Sequence, residues 1–217
     1  MNPDSRKIRM ILELRSWGVT DKRVLSAMER TPRDLFVPEA FRDRAFANVA
    51  LPIGHHQTIS RPQVVGLMSQ ALAVGPRMKV LEIGTGCGYQ SVVLSSLCRR
   101  LYSMEVHKNL QAGAEARFAA LGITNITLKT GDGSLGWPEQ APFERIIVTA
   151  AAADIPPVLA GQLAVGGLMV VPIGEGHDDQ RLVRVERTNE GFETEDLGPV
   201  RFVTMVEGMP ERNAVNG

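Results

Sequence analysis

The spacing of hydrophobic positions changes character near residue 79. Upstream, apolar residues recur at helical intervals. Ile8, Ile11, Leu12 and Leu14 define a helix over about Lys7 to Trp17, and a second helix runs from about Asp21 to Glu29 behind a polar cap at Thr20 or Asp21. Irregular chain follows, punctuated by Pro32, Pro38, Pro52 and Gly54. Ser60-Arg61-Pro62-Gln63 then reads as a helix start, with serine as N-cap, proline in the first turn and glutamine completing a capping box. Val64, Leu67, Met68 and Leu72 form the apolar stripe of that helix.

From Lys79 onward, short apolar runs alternate with helical patterns. Strands are expected at Val80–Ile83, Arg100–Met104, Ile126–Lys129, Arg145–Thr149 and Leu168–Pro172, with helices near Gln90–Cys98, Lys108–Leu121 and Ile155–Leu163. Runs such as Ile146-Ile147-Val148 fit strands buried on both faces, as in a parallel sheet. The alternation predicts an α/β fold with a doubly wound, mostly parallel, Rossmann-like sheet. After Gly174 the helices stop, and Arg181–Arg187 and Val200–Val206 are expected as late strands, ending the sheet in an antiparallel pair. Residues 1–217 read as one domain: an N-terminal helical segment over 1–75, a core over 76–175 and C-terminal strands over 176–217.

Composition narrows the class. A chain of 217 residues buries roughly 70% of its unfolded surface and needs no covalent staples. Twenty-four basic residues balance 24 acidic ones, so nothing drives general binding to nucleic acid or an anionic membrane. No apolar run reaches the roughly 20 residues of a membrane span, and the N-terminus lacks a secretory layout. Cys87 and Cys98 are too few for a disulfide framework and have no metal-ligand spacing. A cytoplasmic protein is expected, and a monomer, since no long heptad pattern is present.

The candidate chemistry sits on Lys79-Val80-Leu81-Glu82-Ile83-Gly84-Thr85-Gly86-Cys87-Gly88-Tyr89-Gln90, a strand, a glycine-rich turn and a helix start. Open α/β sheets bind ligands at such a turn, at the carboxyl ends of the strands. Glu105, ending the second strand, is placed to accept both hydroxyls of a ribose. The dinucleotide fingerprint would put glycine at Tyr89. The spacing G-x-G-x-G, with acidic Glu82 in the preceding strand, is instead the usual methyltransferase arrangement. Gly131-Asp132-Gly133 follows the third strand, where Asp132 either accepts an adenine amine or bonds its own turn. The candidate cofactor residues are Glu82, Gly84, Thr85, Gly86, Gly88, Tyr89, Gln90, Glu105, Val106, Gly131, Asp132 and Gly133.

From about Arg33 to Val206 the chain resembles the protein-L-isoaspartate O-methyltransferase family. The resemblance is carried by Phe36-Val37-Pro38, Leu51-Pro52-Ile53-Gly54, Gln57-Thr58-Ile59-Ser60, Val80 to Gly86, Gly131-Asp132-Gly133, Gly136-Trp137-Pro138 and Ile146 to Ala151. It implies methyl transfer from S-adenosylmethionine to the α-carboxylate of L-isoaspartyl residues in damaged proteins. The ester then closes to a succinimide that reopens partly to aspartate. It further implies Ser60 as the active-site residue, and Gln57, Thr58, Ile59, Ser60, Thr149, Ala150, Ala151 and Arg201 beside the substrate peptide. The chain departs from the family pattern at His56 (usually glycine), Arg61, Asn48, Cys87 and Thr204, positions that bear on peptide preference more than on reaction type.

A carboxylate with a pKa of about 3.3–3.7 is ionised at neutral pH and needs no general base to attack a sulfonium methyl. Ser60 is therefore expected to position the carboxylate, with helix capping as its structural alternative. Selectivity for the isoaspartyl backbone must be geometric, through main-chain bonds near Ile59 and Arg201. His55 and His56 are expected as loop residues and no metal is called for. Two other readings share the scaffold: a peptide-maturation or small-molecule carboxyl methyltransferase, and a silent nucleoside-binding protein.

Overall fold

The computed structural model describes residues 3–176 and 179–208. Three helices come first, α1 (Pro3–Ser16), α2 (Lys22–Arg30) and α3 (Pro62–Ala71). Tight 3-10 turns at Arg33–Phe36 and Glu39–Arg44 and a small hairpin, β1 (Leu51–Gly54) with β2 (Gln57–Ile59), separate α2 from α3. The core follows as β3 (Lys79–Ile83), α4 (Tyr89–Ser95), β4 (Arg100–Glu105), α5 (Lys108–Ala120), β5 (Ile126–Thr130), β6 (Phe143–Val148), α6 (Pro157–Gly161), β7 (Leu163–Ile173), β8 (Arg181–Arg187) and β9 (Phe192–Pro199).

The seven-stranded sheet has the order β5-β4-β3-β6-β7-β8-β9. Pairing is parallel from β5 through β7 and antiparallel at β7–β8 and β8–β9. The doubly wound expectation holds. Adjacent residues of one strand serve opposite layers, as the pleat requires. Val80, Ile147 and Val170 pack into the cluster that holds α1 to α5, whereas Leu81, Ile146 and Met169 pack into the cluster that holds α6. All six are fully buried, each stabilising the fold by about 1.5–3 kcal/mol.

Several boundaries differ from expectation. The capping box at Ser60 does not form: the N-cap of α3 is Arg61, without a side-chain cap bond. Asn48 performs that task from a distant loop. Its Oδ1 accepts from the Gln63 backbone N–H at 3.1 Å and its Nδ2 donates to Gln63 Oε1 at 3.1 Å. The expected helix over Ile155–Leu163 is cut to α6, because Gln162 is tied elsewhere. Its side chain accepts from Trp137 N and donates to the Leu135 carbonyl, while its own carbonyl accepts from Phe143 N. Leu163 thereby enters β7 opposite Phe143.

The expected strand at Val200–Val206 is not a strand. It is an extended strap with a single bridge, Thr204 to Ala151, made by Ala151 N–H to the Val203 carbonyl and Met205 N–H to the Ala151 carbonyl, both 2.8 Å. The partner of β8 is β9, which has little apolar alternation to announce it. Cross-strand pairs hold it, Arg184 with Glu195 at 2.5 Å and Arg181 with Asp196 at 2.7 Å, and those charges blunt an exposed sheet edge.

The β1–β2 turn places His55 and His56 at φ 52° and 57°. Two-residue hairpins of this hand favour Asn or Gly, since left-handed backbone crowds a Cβ. His56 occupies the position at which the resembled family usually carries glycine. Replacing it, His56→Gly, is expected to raise stability by about 1 kcal/mol and the melting temperature by roughly 2–4 °C. A calorimetric melt checks this, and a lower melting temperature would show that the histidine side chain contributes more than its backbone costs.

Candidate active site

The strand order reverses beside β3: the chain leaves toward β4 and β5 and returns to β6 on the other side. At such a switch point the loops at the carboxyl ends diverge and leave a crevice. Here it is a cleft of about 910 Å³, the open solvent at its mouth included. The loop after β3 forms its floor. Gly84 N–H and Thr85 N–H both donate to the Met104 carbonyl, at 2.8 and 3.1 Å, and Gly86 N–H donates to Glu105 Oε2 at 2.7 Å.

Glycine is required at two points of this loop. Gly84 has φ 93°, and a Cβ there would lie 2.3 Å from Thr149 Oγ1. Gly88 has φ 90°, and a Cβ there would lie 2.6 Å from the Phe118 ring. Position 89, which a dinucleotide fold reserves for glycine, is filled by a fully buried tyrosine. Its ring meets Phe36 edge-on at 5.5 Å and lies under the Arg33 guanidinium.

The structure brings most of the expected cofactor residues to the cleft: Gly84, Thr85, Gly86, Tyr89, Gln90, Glu105, Val106, Gly131 and Gly133 line it. Glu105 closes β4, only 5% exposed, with Oε1 accepting from His107 N–H at 2.9 Å. Gln90 is anchored by donation to Ser69 Oγ at 2.9 Å. Three residues take other places. Gly88 lies behind the loop against α5. Asp132 caps its own turn, accepting from Ser134 N–H at 2.9 Å and Ser134 Oγ at 2.7 Å, and its Oδ2 accepts from Gly208 N–H at 2.8 Å.

Glu82 is the third, fully buried beneath the floor. Its Oε2 accepts from Ser91 Oγ at 2.5 Å and Ser103 Oγ at 2.6 Å, and Ser103 Oγ meets Thr85 Oγ1 at 2.6 Å. Oε1 has no partner. Burial pushes this carboxyl up to about 7, against the pull of the two serine donors, and the neighbouring Glu105 charge adds to the rise.

On the acceptor side, Gln57, Thr58, Ile59, Ser60, Thr149 and Ala150 also line the cleft. A smaller cavity of about 340 Å³ adjoins it, lined by Thr58, Ser60, Arg61, Thr149, Arg201, Phe202 and Val203 among others. Thr58, Ser60, Thr149, Phe202 and Val203 belong to both, so Ser60 and Thr149 stand where the two spaces meet. Among the described residues the Ser60 hydroxyl has no hydrogen-bond partner, and helix α3 does not use it. Thr149 Oγ1 sits 3.0 Å from the Ile83 carbonyl and 2.7 Å from that of Gly84, tying β6 to β3. Ala151 lies behind the wall, holding the strap of residues 200–208.

Sequence reasoning gave no site role to Val65, Met68, Met104, His107, Met205 or Val206, which also line the cleft. His55 stacks on His107 with ring centroids 5.1 Å apart, so the hairpin turn roofs the Glu105 end of the cleft. Only the period of the α3 stripe could have pointed to Met68. Among the described residues no cluster of His, Cys, Asp or Glu could hold a metal ion.

Residues 5–210 match the model of the family described as protein-L-isoaspartate(D-aspartate) O-methyltransferase. A protein-L-isoaspartate O-methyltransferase of Paramagnetospirillum magneticum is 63% identical over 209 residues, covering 96% of this chain and 98% of that one. One from Rhodospirillum rubrum is 58% identical over 216 residues, covering 99% of each. The fold is similar to that of a solved Plasmodium falciparum protein assigned as a protein-L-isoaspartate O-methyltransferase, in complex with S-adenosyl-L-homocysteine. There the TM-score is 0.81 at 22% identity, covering 95% of this chain and 99% of that one.

The Glu82 environment has a pH signature. Between the ordinary 4.5 and about 7, the folded state keeps a proton that the unfolded chain has released. The stability it contributes is full below 4.5 and is lost as pH rises through about 7. Glu82→Gln keeps the neutral shape, and its stability relative to wild type is expected to increase by on the order of 3 kcal/mol from pH 4 to pH 8. Denaturant melts of both proteins at the two pH values measure it; an unchanging difference would mean that Glu82 ionises normally.

Proposed function

The chain belongs to the protein-L-isoaspartate(D-aspartate) O-methyltransferase family, and we propose that it methylates the α-carboxylate of isoaspartyl residues in damaged proteins, with S-adenosylmethionine as donor and Ser60 orienting the acceptor. The observation that carries this reading is the meeting of two spaces at Ser60 and Thr149. A transfer between two substrates needs one compartment for each and a short passage between them.

The larger space fits a nucleoside sulfonium. Its floor is the glycine loop after β3, joined by the turn after β5; neither Gly84 nor Gly133 leaves room for a side chain, a Cβ at 133 lying 2.4 Å from Ile83 Cγ2. Glu105 offers a carboxylate to ribose hydroxyls, and Ile83, Met68, Met104 and Val106 offer apolar walls. Asp132 would accept an adenine amine with what remains of its capacity, since a carboxylate has about four acceptor sites and three are used. S-adenosylmethionine supplies an electrophilic methyl when bound there.

The chain's own part is orientation and exclusion of water. The isoaspartyl carboxylate arrives ionised, so no residue has to remove a proton. Ser60 donates its otherwise unused hydroxyl to one carboxylate oxygen and leaves the other directed through the passage. Thr58, Thr149 and the strap at Arg201–Val203 border the peptide, held there mainly by main-chain bonds near Ile59 and Arg201. Alignment of this kind can supply on the order of 7–11 kcal/mol. The apolar walls keep water from the charges that are neutralised as the methyl moves.

The partners are isoaspartyl proteins and peptides, with nucleic acid and membrane outside the reading. No described helix is long and apolar enough to cross a membrane. Cys87 and Cys98, both buried and unpaired, accord with a reducing cytoplasm, and we take the monomer as the working unit.

Paired peptides that differ only in an aspartyl or isoaspartyl linkage test the activity. Methyl transfer is expected to the isoaspartyl peptide alone, and equal turnover of both would overturn the geometric selectivity. For Ser60→Ala, loss of one hydrogen bond to a charged group predicts a fall in kcat/KM of roughly 10- to 100-fold. Affinity for S-adenosylhomocysteine, read by calorimetry, should be unchanged. Wild-type turnover in that variant would remove Ser60 from the mechanism.

A further inference from the structure

Arg33 is a buried cation with no anion paired to it among the described residues. It opens the turn Arg33–Phe36 and is fully enclosed. Its Nε donates to the Ala45 carbonyl at 2.7 Å and its Nη2 to the Ser60 carbonyl at 2.6 Å. The guanidinium carbon lies 4.5 Å from the centroid of the Tyr89 ring. Nη1 is buried without a partner among the described residues. No ion pair among the described residues includes Arg33. Its ionisable neighbours are Tyr89 and Cys87, and burial pushes both groups up, so both are neutral at physiological pH.

A cation enclosed without a counter-ion costs several kcal/mol, and an apolar side chain of the same size would fill the space without that cost. What an apolar chain cannot do is join three segments. The fork grips the Ala45 turn and the Ser60 main chain while its flat face rests on Tyr89, the first residue of α4 after the glycine loop. We propose that Arg33 is a positioning residue for methyl transfer: it fixes Ser60, through the Ser60 carbonyl, at a set height above the Gly84–Gly88 loop. The inference rests on the carboxyl methylation described above.

Two observations make Ser60 dependent on this grip. Its hydroxyl has no hydrogen bond of its own among the described residues, and the cap of α3 comes from Asn48, so no cap bond ties Ser60 to the helix. Its carbonyl is held by Arg33. Lysine cannot replace the fork, because a single ammonium lacks the planar pair of donors and the stacking face.

The test is a double-mutant cycle on the full-length protein, with an isoaspartyl peptide as acceptor. Arg33→Lys should lower kcat/KM at least about ten-fold, as a displaced reacting group would. Affinity for S-adenosylhomocysteine should stay within about three-fold. In the Ser60→Ala background the same change should cost less than about two-fold, since the group it positions is gone. Wild-type rates for Arg33→Lys, or equal losses in both backgrounds, overturn the inference. So does a fall in nucleoside affinity in step with melting temperature, which reports a purely structural role. If Arg33→Lys melts below the assay temperature, Arg33→Gln goes through the same cycle, and unfolding of both assigns Arg33 to the fold alone. Failure of the wild-type protein to methylate any isoaspartyl peptide is a separate result that strikes the activity and not Arg33.

Discussion

The contact between Thr149 and the glycine loop is the constraint on which the site depends. Thr149 Oγ1 lies between the carbonyls of Ile83 and Gly84, where a Cβ on residue 84 would intrude to 2.3 Å. It pins the ends of β3 and β6 together at the point where the strand order reverses. Because the loops leave this point in opposite directions, a cleft opens above it. The same residue forms part of the wall between the larger and the smaller cavity. Fold, cleft and passage thus share one close approach of backbone to side chain.

Two buried ionisable groups support that approach, and they serve it differently. Glu82 sits under the floor, tied through Ser103 to Thr85, so the loop rests on a hydrogen-bonded chain and not on apolar packing alone. Such networks define geometry at the cost of desolvation. Arg33 lies beside the floor and ties Tyr89 to the segment that carries Ser60. Both groups are costly where they stand; Arg33 touches cleft-lining residues directly, and Glu82 reaches one through Ser103.

The core of the fold was legible in the sequence because parallel strands buried on both faces leave continuous apolar runs. Val80–Ile83, Arg100–Met104 and Arg145–Thr149 lie within two residues of the observed strand bounds. The glycine loop and Glu105 were legible for a related reason: a turn that admits no Cβ at Gly84 has to spell itself in glycine. β9 was not legible, since its strand character comes from pairing with β8 and from cross-strand charges, with most of its side chains in solvent. The β1–β2 hairpin was hidden by histidines at left-handed positions, where glycine or asparagine would have signalled a turn.

The sequence by itself determined the parallel strands of the sheet, the helices between the first of them, and the chemistry of the loop after β3, because period and residue type act over a few neighbouring positions. Only the tertiary structure decided what Ser60, Asp132 and Arg33 do. Ser60 looked like a cap until Asn48, from another loop, took the task and left its hydroxyl without a partner among the described residues. Asp132 is largely committed to Ser134 and to the strap at Gly208, a contact between positions far apart in the chain. No local pattern singles out Arg33, which becomes a buried fork only when three distant segments close around it. Hydrogen-bond partners across such separations follow from packing, and local pattern carries no record of them.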